Sequence, residues 1–374
     1  FDGGQMALLN NVVVVSVTHR LNAFGYLELS AFDSSKDFDS SGVVGILDLV
    51  AALKWVQQNI GNFGGDPSRV LITGQSGGGG KVSALMGTPS AKRLFSRAAI
   101  HSGSLGALPD QERASRNVAP LLAKLGVKTA RDLQKLPWQQ IFEAHLTTPT
   151  ASFSPAVGSS YLPSQPWGSS APAQSAEVPL LISRTLEDGG LTDSDWGATE
   201  ADVRKYLTQI APGEEQKIWE LYQRNAAGKS PYLIRSQIKT DRTWAAREHR
   251  QAELKAAQNA GAVYMYQWDW VTPAYDGRLG AVHHTDVPAQ FNNWRSALYG
   301  GAGAEARLLC QQLSMSMAAF AATGNPSHPM VPAWEPYTTG SRATMVFDST
   351  TRLEEDPRAE IRKFWAGRPI PEGL

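Results

Sequence analysis

The sequence predicts an α/β fold in which a mostly parallel, twisted sheet carries helices on both faces. Segments rich in β-branched and apolar residues alternate with segments of helical periodicity through the first hundred residues, as is typical of a parallel sheet. The 374 residues, 42% of them hydrophobic, suffice to bury one large core. A serine among glycines stands where a strand pattern gives way to a helical one. We therefore expect a single domain over residues 1–374, with a helical excursion in its second half.

The first hundred residues contain the clearest alternation of patterns. The valine run that begins at Val12 is continuous rather than alternating, which predicts a strand covered on both faces. Apolar residues at Ile46, Val50 and Leu53 are spaced as on one face of a helix. In order, we expect a strand in "NVVVVSVTHR", a helix in "GILDLVAALKWVQQNI", a strand in "VLITG", a helix from about Lys81 and a strand in "FSRAAIHSGS".

A stretch rich in Ser, Pro, Gly and Ala, from Thr147 to Pro179, predicts a long loop over the domain. Beyond it strand and helix patterns resume, and residues 199–262 are largely helical in pattern. In order, we expect a strand in "VPLLISRT", a helix in "DRTWAAREHRQAELKAAQNAGA", a strand in "VYMYQWDW", a helix in "EARLLCQQLSMSMAAFAATG", a strand in "RATMVFD" and a helix near "AEIRKFW".

Charge and composition exclude several classes of function. Lysine plus arginine and aspartate plus glutamate both number 35, and no basic run could follow a phosphate backbone, so we expect no nucleic-acid partner. The apolar run Val12 to Val17 is too short to span a bilayer. Cys310 is the only cysteine, which excludes an internal disulfide and a cysteine-based metal site without fixing the compartment.

The segment Gly74 to Gly78 fits the pattern G-x-S-x-G around Ser76. It either forms a glycine-rich surface turn or a nucleophile elbow, in which a sharp strand-to-helix turn presents the serine hydroxyl. A serine nucleophile needs a base within hydrogen-bond reach and a carboxylate that orients the base.

Candidate partners for Ser76 follow in the order acid, then histidine. Glu187 and Asp188 come just after the strand "VPLLISRT", and His283 and His284 lie in a loop after the strand "VYMYQWDW". The order serine, acid, histidine is the one that α/β-hydrolases use. The remaining histidines lack metal-ligand spacing, and we expect no metal site.

Three segments together resemble the type B carboxylesterase and cholinesterase family, especially its bacterial para-nitrobenzyl-esterase-like members. They are "VVVVSVTHRLNAFGYL", "GILDLVAALKWVQQNIGNFGGDPSRVLITGQSGGGG" and "LGAVHHTDVP". The tail "FAATGNPSHPMVPAWEPY" is similar to that family as well. The resemblance implies an α/β-hydrolase fold and a serine hydrolase that cleaves small-molecule esters through an acyl-enzyme, without a metal or organic cofactor.

The resemblance also implies site residues. Ser76 is the expected nucleophile, His283 the base, with His284 as the alternative, and the N–H of Gly77 an oxyanion donor. The acid motif, usually Asp-Glu-Gly, is Glu187-Asp188-Gly189 here, so position favours Asp188 with Glu187 as the alternative.

In relatives, a glycine-rich loop upstream of the position of Phe1 supplies further oxyanion donors. The resemblance therefore implies that the N-terminal strands and this loop are missing from residues 1–374, and we expect impaired catalysis and folding of the chain as written. Gly77 stands where many relatives have alanine, which leaves the backbone donor intact.

A non-enzymatic binding protein on the same fold is the alternative function, and the presence of a serine, an acid and a histidine favours the enzyme. We expect the hydroxyl of Ser102 to serve a hydrogen bond near the site. Four aromatic residues in loops form either an apolar substrate pocket or ordinary core: Phe153, Trp167, Phe291 and Trp294.

Overall fold

Six strands form one twisted sheet in the computed structural model, which describes residues 2–33, 35–301 and 303–371. The spatial order follows the chain, and the first five strands run parallel, whereas β6 is antiparallel to β5. The strands are β1 (Leu71–Gln75), β2 (Arg97–His101), β3 (Leu180–Thr185), β4 (Val263–Trp268), β5 (Ala343–Phe347) and β6 (Arg352–Glu355).

Helices connect the parallel strands, as right-handed crossovers of a parallel sheet require. The α-helices are α1 (Gly4–Asn10), α2 (Asn22–Gly25), α3 (Val44–Asn59), α4 (Gly77–Gly87), α5 (Gln111–Leu125), α6 (Ala130–Leu133), α7 (Trp138–Leu146), α8 (Glu200–Ile210), α9 (Glu215–Asn225), α10 (Pro231–Thr240), α11 (Ala246–Ala256), α12 (Val287–Gln290), α13 (Gly303–Thr323) and α14 (Ala359–Trp365). A π-helical turn, Asp241–Ala245, joins α10 to α11.

Two apolar cores lie on opposite faces of the sheet. Successive side chains of a strand point to opposite faces, so Leu181 lies in the core that α13 covers, whereas Leu180 and Ile182 lie in the core that α3, α4 and α11 cover. Every residue of β3 and of β4 is buried. Burial on both faces explains why apolar residues are not confined to alternate positions in these two strands.

The helical region after β3 packs around a third apolar cluster. Val203 of α8, Trp219 of α9 and Ile238 of α10 meet Ile361 and Trp365 of α14 in it. The C-terminal helix α14 therefore packs against the helices of the predicted excursion.

The prediction of a buried strand in "NVVVVSVTHR" is wrong. Residues 12–20 adopt no regular secondary structure, and the side chains of Val13 and Val15 are each 43% exposed. Val12 and Val14 pack against the core that α13 covers, so alternate valines face opposite ways. β1 is the edge strand, and residues 12–20 form no strand pairing with its outer side, so the segment lacks the ladder hydrogen bonds that would make it a strand.

Two further boundaries differ from the sequence prediction. α4 begins at Gly77 rather than about Lys81, because four glycines with low helix propensity are held in the helix by the turn at Ser76. The polar strand β6 was not predicted, since its segment "RLEE" lacks the apolar pattern of the buried strands and gains its order from pairing with β5.

Candidate active site

Ser76 occupies a sharp turn between β1 and α4. Its backbone angles are φ 56° and ψ −124°, a conformation that costs a non-glycine residue on the order of 1–3 kcal/mol. A Cβ on Gly74 would lie 2.4 Å from the carbonyl carbon of Gly78, so strand and helix approach closely enough to require glycine there. A strained serine backbone and a close approach of strand and helix are the features of a nucleophile elbow.

Backbone hydrogen bonds fix the elbow to the sheet. The N–H of Ser76 donates to the carbonyl of His101 at the end of β2 (2.8 Å), and the carbonyl of Ser76 accepts from Gly80 (3.0 Å). The side chain of Ser76 is partly exposed, and its hydroxyl has no hydrogen bond to any described residue. Gly77 opens α4 at the exposed surface, where helix N–H groups lack intrahelical acceptors.

His283 and Asp188 form a buried pair at the carboxyl ends of the strands, where the elbow also lies. His283 Nδ1 lies 2.6 Å from Asp188 Oδ1, and the side chain of Asp188 is fully buried. Thr185 holds the carboxylate, since its N–H donates to Oδ2 (3.2 Å) and its hydroxyl to Oδ1 (2.9 Å). Because a carboxylate only accepts hydrogen bonds, Nδ1 of His283 carries the proton and Nε2 is left as the basic nitrogen.

The pKa of His283 is raised above its ordinary value. Burial lowers it, but the hydrogen bond to Asp188, the charge of Asp188 and the charge of Asp286 outweigh that effect. Asp286 accepts hydrogen bonds from Tyr266 (2.7 Å) and Gln290 (3.0 Å), and burial raises its own pKa to about 6.

Gln75, the residue before the elbow serine, was not singled out from the sequence. Its side-chain amide nitrogen lies 2.9 Å from His283 Nε2, and its amide oxygen lies 3.3 Å from His284 Nδ1. The contact ties the loop of His283 to the strand that leads into the elbow of Ser76. Its place at the end of a strand, next to the serine, was the available signal.

The two candidate acids point in different directions. The carboxylate of Glu187 accepts from the N–H of Ala281 (2.7 Å), from the amide of Gln237 (2.8 Å) and from Lys229 (3.2 Å). Its partners thus belong to the backbone before His283 and to the helical region, whereas Asp188 contacts the imidazole itself.

An aromatic ring lies near His283, and a partly apolar cavity lies beside His284. The ring of Trp244, in the π-helical turn, lies 6.1 Å from the imidazole between ring centroids. A cavity of about 260 Å³ adjoins His284 and is lined by Val287, Pro288 and Phe291, with Asn293, Ser296 and Asp2 as its polar residues.

Of the four aromatic residues considered from the sequence, Phe291 alone is among those that line this cavity. Trp294 packs against the core that α13 covers, and Phe153 and Trp167 pack in the core on the other face. The prediction for Ser102 is wrong, because its buried hydroxyl has no hydrogen-bond partner in the described structure; its N–H donates instead to Ser183 (2.7 Å).

Comparison with known proteins identifies the family. A family model described as the carboxylesterase family matches residues 1–365. The chain belongs to the carboxylesterase family. The para-nitrobenzyl esterase of Bacillus subtilis (strain 168) is 32% identical to this carboxylesterase, over 97% of the chain and 74% of that protein. The phenmedipham hydrolase of Pseudarthrobacter oxydans is 26% identical, over 90% of the chain and 69% of that protein.

Solved structures agree with this assignment. A carboxylesterase of Geobacillus stearothermophilus superposes with a TM-score of 0.84 at 31% identity, over 97% of this carboxylesterase and 78% of that chain. The predicted α/β-hydrolase fold and serine carboxylic-ester hydrolase activity are thereby confirmed. Of the described helices, none is both long and apolar enough to cross a bilayer.

Proposed function

We propose that this carboxylesterase hydrolyses small-molecule esters with Ser76 as nucleophile, His283 as general base and Asp188 as the acid that orients it. The observation that carries the proposal is the 2.6 Å contact between His283 Nδ1 and Asp188 Oδ1, beside the strained turn of Ser76. This contact favours Asp188 over Glu187, and His283 over His284, for the two roles that the sequence left open.

The proposed reaction proceeds by acyl transfer. Ser76 attacks the ester carbonyl while Nε2 of His283 takes the hydroxyl proton, and Asp188 stabilises the imidazolium that forms. The N–H of Gly77 donates to the oxyanion of the tetrahedral intermediate. His283 then returns its proton to the departing alcohol. Water attacks the acyl-enzyme with His283 again as base and releases the carboxylic acid.

The base must exchange one partner for another during this cycle. Gln75 holds Nε2 of His283 at 2.9 Å in the resting arrangement, and a nitrogen lone pair that accepts from an amide is not free for a serine proton. Ser76 therefore displaces the Gln75 amide from Nε2 when an ester binds. The amide oxygen of Gln75 keeps its contact with His284 Nδ1 during that displacement.

The cavity beside His284 is a suitable site for an uncharged part of the substrate. Val287, Pro288 and Phe291 provide apolar walls, and its volume of about 260 Å³ matches a small acyl or alcohol group. We propose that it accepts one side of an apolar ester, such as a short-chain or aryl ester.

Covalent labelling tests the nucleophile directly. A fluorescent alkyl phosphonate should label the wild-type chain at one serine, and Ser76→Ala should abolish the label and ester turnover together. Ser102→Ala is the matched control, because Ser102 also follows a strand of the same sheet and its hydroxyl has no hydrogen-bond partner within the described residues. Labelling that persists in Ser76→Ala and disappears in Ser102→Ala would refute the assignment.

A further inference from the structure

Glu187 and Asp188 are adjacent in the chain and equally buried, yet they contact different parts of the molecule. Asp188 contacts the imidazole of His283, whereas Glu187 contacts the backbone just before that histidine. Burial of a carboxylate is costly unless each oxygen has a partner. The triad does not explain why the carboxylate of Glu187 is buried, so its burial needs a separate explanation.

Glu187 binds Ala281 twice. Its own N–H donates to the carbonyl of Ala281 (3.0 Å), and its carboxylate Oε2 accepts from the N–H of the same residue (2.7 Å). Glu187 also forms an isolated parallel bridge with Val282. Ala281 and Val282 are the two residues that precede His283, so these bonds fix the backbone from which the imidazole projects.

The other carboxylate oxygen of Glu187 is anchored to the helical region. Oε1 accepts from Nε2 of Gln237 in α10 (2.8 Å) and lies 3.2 Å from Nζ of Lys229, which precedes α10. Glu187 thus links the loop of His283 to the layer of helices that packs over β3. Lys229 also neutralises the Glu187 charge, so a charge effect of Glu187 on the imidazole is offset locally.

Gly280 lies directly against this contact. Its φ is +66°, a left-handed conformation that favours glycine, and a Cβ there would lie 2.7 Å from Leu233 Cδ2 and 2.8 Å from Oε2 of Glu187. A side chain at position 280 would push the loop away from the carboxylate. The glycine therefore permits the close approach of Glu187 to Ala281.

We propose that Glu187 is a positioning residue of the esterase, which holds the loop of His283 in register with Asp188 through hydrogen bonds to Ala281. The proposal rests on the triad proposed above. It assigns the two neighbouring acids separate tasks, since Asp188 orients the ring and Glu187 fixes the backbone that carries it. A displacement of about 1 Å at a catalytic group can cost on the order of a hundredfold in rate.

The test compares Glu187→Ala with Glu187→Gln on a p-nitrophenyl ester. The alanine variant removes the acceptor for Ala281, whereas glutamine keeps an oxygen for Ala281 and replaces the oxygen that faces Gln237 and Lys229 with an amide nitrogen. We expect Glu187→Ala to lower kcat about tenfold to a hundredfold with KM little changed, and Glu187→Gln to restore most of kcat. Rates are expressed per active site titrated with the phosphonate, so that unfolded protein does not count.

Gly280→Ala gives a second, independent approach if Glu187→Ala does not fold. It leaves Glu187 intact and should reproduce the loss in kcat by displacing the loop. Wild-type kcat in both Glu187→Ala and Gly280→Ala, or a loss in Glu187→Gln as large as in Glu187→Ala, would overturn the proposal. Failure of the triad itself would appear elsewhere, as turnover and labelling retained in Ser76→Ala.

Discussion

The elbow of Ser76 and the loop of His283 meet at the same edge of the sheet but are built differently. The elbow depends on neighbours in the sequence: a strand end, a strained serine and glycines within four residues of one another. The loop depends on residues far away in the chain, because Asp188 and Gln75 lie 95 and 208 positions from His283. Local backbone chemistry thus makes the nucleophile, and long-range side-chain contacts make the base.

The largest effect is expected from removal of the base. His283→Ala should lower kcat on the order of 10⁵- to 10⁶-fold, because the proposed triad then lacks its general base. His284→Ala is the matched control at the next position, and it should remain within about tenfold of wild type. Steady-state hydrolysis of a p-nitrophenyl ester measures both. A larger loss in His284→Ala would exchange the roles of the two histidines.

Asp188→Asn should lower kcat by about 10⁴-fold, since the amide no longer selects the tautomer with a free Nε2. It should also change the pH profile. Activity requires neutral His283 and so rises with pH through its pKa; burial lowers that pKa, and Asp188 contributes two of the effects that raise it. Without the carboxylate, the acidic limb of kcat/KM should move to lower pH. A limb that stays in place or moves to higher pH would show that Asp188 does not act on His283.

The elbow itself can be tested through stability. Gly74→Ala should lower the free energy of unfolding by about 1–3 kcal/mol, because the new methyl group meets the backbone of Gly78 at 2.4 Å. Gly78→Ala is the control within the same motif, since a Cβ there has no atom within 4 Å and alanine favours the helix. Urea unfolding followed by circular dichroism compares them. Equal stability of the two variants would contradict the close approach of strand and helix.

The smallest effect is expected at the contact between the elbow and the loop. Gln75→Met keeps the side-chain volume but removes the amide that occupies Nε2 of His283. Since a hydrogen bond of this kind contributes about 0.5–1.5 kcal/mol, kcat/KM should rise roughly two- to tenfold. The measurement is stopped-flow acylation by an activated ester. A fall in the acylation rate would mean that Gln75 assists the base rather than competing with Ser76.

The contrast between elbow and loop also explains which parts of the site could be predicted from the sequence. The strand, glycines and serine of the elbow form one continuous motif, so both its position and its chemistry could be predicted. The separate uses of Glu187 and Asp188 could not, because they depend on where Ala281, Lys229 and Gln237 lie in three dimensions. Sequence position nevertheless favoured Asp188, which is the acid that contacts His283.

The valine segment shows a different kind of failure. A continuous run of β-branched residues favours an extended, buried backbone. It does not specify which strand pairs with the run. Within the described residues no strand pairs with it, and three of its five valines are exposed. In contrast, β3 and β4 have two neighbouring strands each, and both predictions were correct.

β1 carries the serine but has only β2 as a partner among the described strands. Backbone amides along its open side can therefore exchange hydrogen for deuterium without any separation of the sheet, whereas those of β3 and β4 are released only when the core opens. Deuterium should enter the strand that bears Ser76 well before it enters the strands that lead to Asp188 and His283. The nucleophile thus follows a strand with one described neighbour, and its partners follow strands with two.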